Sequence, residues 1–426
     1  MHQALARLAG WAVAHLGFVA GLCLGACFVA FGPARAAELI HVGLSVSLTG
    51  ATAPAGKQVL AGLEIWRDDV NAKGGLLGRP VELVYYDDQS NPANAPGIYA
   101  KLLDIDKVDL LIGPYSTNVI AAAMPAIIAK KKMTIGIFGL GVNKAFNYPR
   151  YFSMNSQGAS PRNYSRGVFE LALQQQPKPA RVALVGADVE FSRNALDGAH
   201  ENAKALGFDL VYERTYPLAN TDYTSIVRSM QAAAPDLVYA ATLPVDTAGL
   251  IRAANEVQFK PKLFSGAFLG LLITAIKQQL GPLINGLVIN EFYVPASSLQ
   301  FDGTKAFLAE YQKRAPGLGI DPLGFTYPPY AYAAGQALAS AVADVGSLDD
   351  DKLAAYLHSH TVDTVAGPMS FGDDGEWKVP RSIHAQFQNV TGSDIAQFRD
   401  MSREVVVWPS ALKTGNLLYP YGQPAN

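Results

Sequence analysis

The sequence predicts an α/β protein of two lobes, each a parallel sheet with helices on both faces, joined by three crossover hinge strands. Three observations predict it. Short apolar runs alternate with helix-period segments along most of the chain. The alternation ends near Phe138 and restarts near Arg181. No Ser/Gly-rich or charged linker separates the two series, so ordered strands rather than a tether connect the lobes. With 426 residues the chain is long enough to give each lobe a core of its own.

The elements follow in order. Ile40 to Ser47 reads as a strand, and Gly56 to Asn71 as a helix with Val59, Leu63 and Trp66 on one face. Gly74-Gly75 ends that helix. Val81 to Tyr85 is a strand, and Pro92 to Asp104 is a helix opened by proline. Asp109 to Ile112, Ser116 to Lys130 and Met133 to Phe138 continue as strand, helix and strand. The second series has strands at Arg181–Val185, Leu210–Thr215, Leu237–Ala240 and Lys262–Phe264, with helices at Ser192–Leu206, Tyr223–Ala233, Thr247–Val257 and Leu271–Gln279.

The last third differs. Tyr330 to Val345 and Lys352 to His358 read as helices, and Pro368 to Trp377 as a hairpin-like run with an Asp-Gly turn. His384–Val390 and Val405–Trp408 read as strands. The chain is expected to return to the first lobe near Glu291 and to cross again near Phe371. That places lobe 1 at 37–157 plus 291–366 and lobe 2 at 158–290 plus 367–426.

The first 36 residues have the pattern of a signal peptide: Arg7, an apolar run from Leu16 to Phe31, then Ala34-Arg35-Ala36 as a small-x-small cleavage site. The expected location is therefore periplasmic. Leu24-Gly25-Ala26-Cys27 has the shape of a lipobox, which leaves a lipoprotein open, as it does a retained anchor. Cys23 and Cys27 are the two cysteines, so the rest of the chain has no disulfide and no thiolate metal site. Hydrophobic residues make up 50% and charged residues 16%, with a net charge of −2, which suits a folded protein without a nucleic-acid face.

The chemistry of catalysis is missing. There is no G-x-x-x-x-G-K-[ST], H-E-x-x-H or G-x-S-x-G. Gly139-Leu140-Gly141 lacks the third glycine of a dinucleotide site. Asp87 and Asp88 are adjacent on a strand and point to opposite faces, a poor acid–base pair. His41, His200 and His384 fall singly in separate elements. The expectation is a protein that is not an enzyme and holds no cofactor and no metal.

Several runs in order resemble the leucine/isoleucine/valine-binding family of type I periplasmic binding proteins. They are Leu48-Thr49-Gly50 with Gly56, Val70-Asn71-Ala72-Lys73-Gly74-Gly75 followed by Leu76-Leu77-Gly78-Arg79, the DDQSNPANA run from Asp87 to Ala95, and GPYST at Gly113–Thr117. Ala234-Pro235-Asp236-Leu237-Val238 and Gly367-Pro368-Met369-Ser370-Phe371 complete the set. The resemblance implies a monomer that captures a small organic molecule between hinged lobes and delivers it to the membrane permease of an ABC importer. A ligand sensor of the same fold is the alternative from another class.

GPYST follows a strand and opens a helix, so Ser116 or Thr117 can cap that helix and its free N–H groups can seat an anion. Tyr115, Ser116 and Thr117 are therefore expected at the ligand, with Phe138, Gly139 and Leu140 from the next loop and Phe191 and Phe268 from the second lobe. The amino-acid binders that this chain resembles carry an Ala-Thr or Ser-type pair where Gly139-Leu140 stands, and an acid where Phe268 and Leu269 stand. Both departures remove partners for an ammonium. The expected ligand is a carboxylate or carbonyl compound with an apolar or aromatic body, and a branched-chain or other amino acid is the alternative.

Overall fold

The computed structural model describes residues 38–400 and 402–423. The proposed signal peptide, with Cys23, Cys27 and Ala34–Ala36, lies outside the described residues. Two sheets organise the chain. The first comprises β1 (Ile40–Val46), β2 (Val81–Asp87), β3 (Leu110–Tyr115), β4 (Thr134–Ile137) and β5 (Tyr151–Ser153), in the order β2-β1-β3-β4-β5. All its pairings are parallel.

The second comprises β6 (Arg181–Ala187), β7 (Asp209–Tyr216), β8 (Leu237–Thr242), β9 (Leu263–Phe268), β10 (Val288–Glu291), β11 (Ile383–Phe387) and β12 (Glu404–Trp408). Its order is β12-β11-β10-β9-β8-β6-β7. The five strands from β7 to β10 pair in parallel, while β11 and β12 are antiparallel additions. The reason is the path of the chain. β10 leaves toward the first lobe and β11 re-enters from it, so the two must run in opposite directions.

The helices are α1 (Ala53–Ala72), α2 (Ala95–Ala100), α3 (Thr117–Ala129), α4 (Asn143–Phe146), α5 (Asn163–Leu173), α6 (Glu190–Ala205), α7 (Tyr223–Ala232), α8 (Pro244–Glu256), α9 (Thr274–Leu280), α10 (Thr304–Leu318), α11 (Tyr327–Val345) and α12 (Asp350–Ser359). The central strands β3, β8 and β9 are buried along their whole length, as helices covering both faces of a parallel sheet require. The helix expected over Pro92–Asp104 is three pieces: a 3₁₀ turn at Pro92–Asn94, α2, and a π-helical turn at Lys101–Ile105. Asn91 caps the first piece through Ala93 N–H, and the last closes with Asp106 N–H on the Lys101 carbonyl.

After β10 the chain packs on the first lobe. α11 lies against α1, and Gly335 makes that approach possible: a Cβ there would sit 2.2 Å from the Trp66 ring. Asp350 at the start of α12 accepts from Lys132 Nζ and from Met133 N–H, both at 2.7 Å. Three passages between the lobes are bonded to one another. Gln157 donates to Asn290 at 3.1 Å, and Arg381 N–H donates to the Ser156 carbonyl at 2.6 Å. The Pro368–Trp377 run closes on itself through an isolated Phe371–Trp377 bridge and lies over β5, with Phe371 against Phe152 at 5.2 Å and Ser153 N–H on the Gly375 carbonyl at 2.9 Å. Among the described residues, no helix is long and apolar enough to cross a membrane.

Candidate ligand-binding cleft

The cleft begins with two adjacent strand ends. β3 ends in Tyr115 and leads through Ser116 into α3, while β4 leads into Phe138. Ser116 and Phe138 have φ of 75° and 60°, left-handed values that cost free energy in residues other than glycine. The surroundings hold them there. Ser116 N–H donates to the Ile137 carbonyl at 3.0 Å. The Thr117 hydroxyl accepts from Leu140 N–H at 3.1 Å and faces the Phe138 carbonyl at 3.4 Å.

That hydroxyl therefore ties the two loops together, and no side-chain hydrogen bond caps α3 from Ser116. The expectation that Ser116 or Thr117 caps the helix gives way: Ser116 turns the chain and Thr117 fastens the loop. The first N–H groups of α3 stay without intrahelical partners, a positive end aimed at the cleft.

A third loop closes this side. Asp87 accepts from Leu48 N–H, Thr49 N–H and the Thr49 hydroxyl, so its carboxyl lies below the usual range; burial raises it less than these bonds lower it. Asp88 turns inward and accepts from Ser47 at 2.6 Å. Ser90 then accepts from both the N–H and the hydroxyl of Thr52 at 3.0 Å, which fixes Thr52 at the cleft. The Asp87–Asp88 pair thus builds a loop and offers no acid–base couple.

The cleft has about 430 Å³ of unfilled space, counting its open mouth. Its lining includes Thr52, Tyr115, Ser116, Thr117, Asn118 and Phe138 from the first lobe. Tyr164, Phe191, Leu243 and Leu269 face them, with Phe292 from a passage and Tyr327 from the start of α11. Six rings form an unbroken chain of edge-to-face contacts. Tyr115 meets Tyr327 at 5.9 Å, Tyr327 meets Phe138 at 5.3 Å, and Phe138 meets Phe292 at 4.7 Å. Phe292 meets Tyr164 at 6.1 Å, and Tyr164 meets Phe191 at 5.9 Å.

None of these lining side chains is charged, while Glu190 and Arg193, 3.6 Å apart, stand in the adjoining hollow that shares Thr52, Ser116, Asn118 and Leu243. Burial holds the Tyr115, Tyr164 and Tyr327 hydroxyls well above the ordinary phenol value, so they stay neutral. Tyr327 Oη is buried with no hydrogen-bond partner, a polar atom placed at the cleft wall.

Of the residues expected from sequence, Tyr115, Ser116, Thr117, Phe138 and Phe191 line the cleft. Gly139, Leu140 and Phe268 do not. The Gly139 carbonyl accepts from Ser153 and Asn155, and Leu140 is fully buried behind Thr117. Phe268 is 1% exposed and stacks edge-on with Phe264 at 5.9 Å in the core of the second lobe. Residues four apart on a strand share a face, so Phe264 and Phe268 point the same way. Leu269, one residue on, reaches the cleft instead. Thr52, Asn118, Tyr164, Leu243, Phe292 and Tyr327 carried no local signal, apart from the helix start that Tyr327 shares with Pro328 and Pro329.

Two acids follow cleft-lining or passage residues in sequence, and one of them, Asp246, keeps Oδ1 buried without a hydrogen-bond partner. Asp246 accepts from Tyr216 Oη at 2.6 Å, and burial raises its carboxyl to about 6. Glu291, raised by burial and by Glu404, lies 4.0 Å from Lys277, which Glu404 also holds at 2.7 Å. Among the described residues, no group of His, Cys, Asp and Glu is arranged to hold a metal ion.

Comparison with known proteins agrees with this architecture. A periplasmic binding protein family model matches residues 39–380. An amino acid binding protein of Pseudomonas aeruginosa is 27% identical over 350 residues, covering 80% of this chain and 88% of its own. The Leu/Ile/Val-binding protein of Escherichia coli (strain K12) is 24% identical over 375 residues, covering 84% and 93%. Among solved structures, a leucine binding protein from Thermotoga maritima MSB8 superimposes with a TM-score of 0.72 at 18% identity, covering 83% and 96%. An ABC transporter solute binding protein from R. palustris in complex with benzoate gives 0.71 at 21% identity, covering 87% and 96%. Because the family match spans well over half of the chain, including the first sheet, the five parallel strands of the second and every wall of the cleft, the chain belongs to the periplasmic binding protein family.

Proposed function

We propose that the protein is the extracytoplasmic solute-binding component of an ABC importer, and that it closes its lobes on a small carboxylate with an aromatic or apolar body. The observation that carries the ligand class is the chain of six rings around a wall without charge, with the open end of α3 beside it. The N–H groups of α3 and the Ser116 hydroxyl meet the carboxylate. The rings meet the body, each contact worth about 0.5–1.5 kcal/mol beyond burial. An ammonium would find no carboxylate in the lining itself: Asp246 and Glu291 do not line the cleft, and Glu190 in the adjoining hollow stands beside Arg193.

In this reading the protein acts as a periplasmic monomer, passes its ligand unchanged to a membrane permease, and catalyses nothing. The relatives named for amino acids favour the alternative ligand class. Calorimetric titration decides between them, with benzoate, 4-hydroxybenzoate and 3-phenylpropionate set against L-phenylalanine and L-leucine. The expected result is that 3-phenylpropionate binds tighter than L-phenylalanine, its aminated counterpart. The reverse order means that the cation is recognised and sinks the carboxylate assignment.

A further inference from the structure

The helix α6 has no cap of its own. Val189 precedes it and contributes no side-chain bond. The N–H of Phe191, in its first turn, instead donates to Asn118 Oδ1 at 3.1 Å. Asn118 stands in the first turn of α3, in the other lobe, so a helix of one lobe is capped by a side chain of the other. One turn further along the same face of α6, Asn194 Nδ2 donates to the Leu140 carbonyl at 2.8 Å. Leu140 N–H is in turn held by the Thr117 hydroxyl. Both bonds join α6 to the two first-lobe loops that shape the cleft, and both exist only while the lobes are together.

We propose that Asn118 and Asn194 form a closure latch, a two-bond clasp that sets the balance between open and closed lobes and thereby scales the affinity for every ligand by a common factor. The reason for a common factor is linkage. A ligand held between the lobes binds in proportion to the fraction of protein that can close, and a bond between protein groups changes that fraction whatever the ligand is. Asn194 does not line the cleft, so its effect has no route through ligand contact. Asn118 lines the cleft as well, and its two roles separate by substitution. Asn118→Asp keeps the acceptor for Phe191 N–H and places a negative charge at the start of α6, which that helix end favours. Asn118→Leu removes the acceptor at similar size.

The inference rests on the proposed ligand cleft for its affinity arm but not for its structural arm. The structural arm is small-angle scattering of ligand-free protein, with circular dichroism as the check on folding. Asn194→Ala and Asn118→Leu are expected to raise the radius of gyration, and Asn118→Asp to restore the wild-type value. Unchanged scattering in both of the first two variants overturns the latch. The affinity arm measures benzoate and L-phenylalanine with the same proteins. Asn194→Ala is expected to weaken both by the same factor, about 2- to 10-fold for one hydrogen bond. Weakening that differs between the two probes by more than about threefold, beyond the spread expected for a shared equilibrium, also overturns it. If neither probe binds the wild type, the ligand assignment fails while the scattering still decides the latch.

Discussion

Glu376 offers the sharpest test of how the hinge is built. It follows the Asp373-Asp374-Gly375 turn that folds onto β5, where the fit is tight enough that a Cβ on Gly375 would lie 1.7 Å from the Tyr151 carbonyl. The side chain is 3% exposed and neither carboxyl oxygen has a hydrogen-bond partner. The Ser153 hydroxyl donates to the Gly139 carbonyl at 3.1 Å. Burial raises the carboxyl to about 8, Ser153 lowers it a little, and Asp374 adds to the rise. Tyr151 and Tyr164, held neutral by burial, feel the same carboxyl from β5 and α5.

The folded protein therefore keeps a proton on Glu376 that the unfolded chain loses near pH 4.5. Stability from this group is complete below pH 4.5 and is lost as pH rises toward 8. At about 1.36 kcal/mol per pH unit, the span from 4.5 to about 8 is worth about 5 kcal/mol for a site that does not relax. Glutamine matches the protonated acid in shape and does not titrate. Urea unfolding of the wild type and Glu376→Gln at pH 5 and pH 8.5 isolates the term, because His384 and Asp246 titrate equally in both proteins. His384, lowered by burial to about 3, costs stability as pH falls from 6.5. The expected result is that the variant gains several kcal/mol on the wild type between the two pH values. A stability difference that stays the same at both values would show that Glu376 is ionised in the fold, and the account of this turn would be wrong.

Two further substitutions test other parts of the frame. Thr117→Val removes the hydroxyl that bridges Phe138 and Leu140; it should cost about 1–3 kcal/mol of stability by leaving Leu140 N–H unpaired, read from the urea midpoint, and unchanged stability would mean the loop holds itself. Lys277→Met leaves Glu404 and Glu291 buried without their cation; the expected loss is about 3–5 kcal/mol, and a loss under about 1 kcal/mol would show that the two acids already share a proton.

The fold was legible because its signals are local and periodic. Val59, Leu63 and Trp66 mark the buried face of α1, and the fully apolar Leu110–Ile112 marks a strand covered on both sides. The strand-to-helix switch at GPYST marked the cleft for the same reason: a strand end and a helix start must meet there. Phe268 misleads because the strand expected to end at Phe264 continues to Phe268, and its pleat turns that ring inward. Tyr164, Phe292 and Tyr327 were not legible. Each sits in a passage or at a helix start, and its place depends on how two lobes approach, a long-range fact that no local pattern of residues encodes. The strands β11 and β12 were legible as strands, but their antiparallel pairing was not, since their direction follows from a chain that has travelled through the other lobe.

The ring chain also explains why this cleft can manage without charge. A charged ligand group buried between two lobes normally needs a charged partner, and that partner then selects the ligand class. Here the lobes are already attracted by contacts of their own. Phe138 of the first lobe touches Phe292 of a passage, Phe292 touches Tyr164, and Asn118 caps α6. Part of the free energy of closing thus comes from protein groups, and the ligand has to supply only the difference between what it gains in the closed cleft and what the rings lose by parting. A flat apolar body suits that exchange, because it replaces ring–ring contacts with ring–ligand contacts of the same kind. In the proposed reading its carboxylate needs no ion pair within the lining, since the open N–H groups of α3 sit beside Ser116 at the cleft. In the proposed reading, selectivity follows from what this arrangement refuses: an ammonium beside that same helix end would meet a positive dipole and no carboxylate in the lining, and its desolvation would go uncompensated.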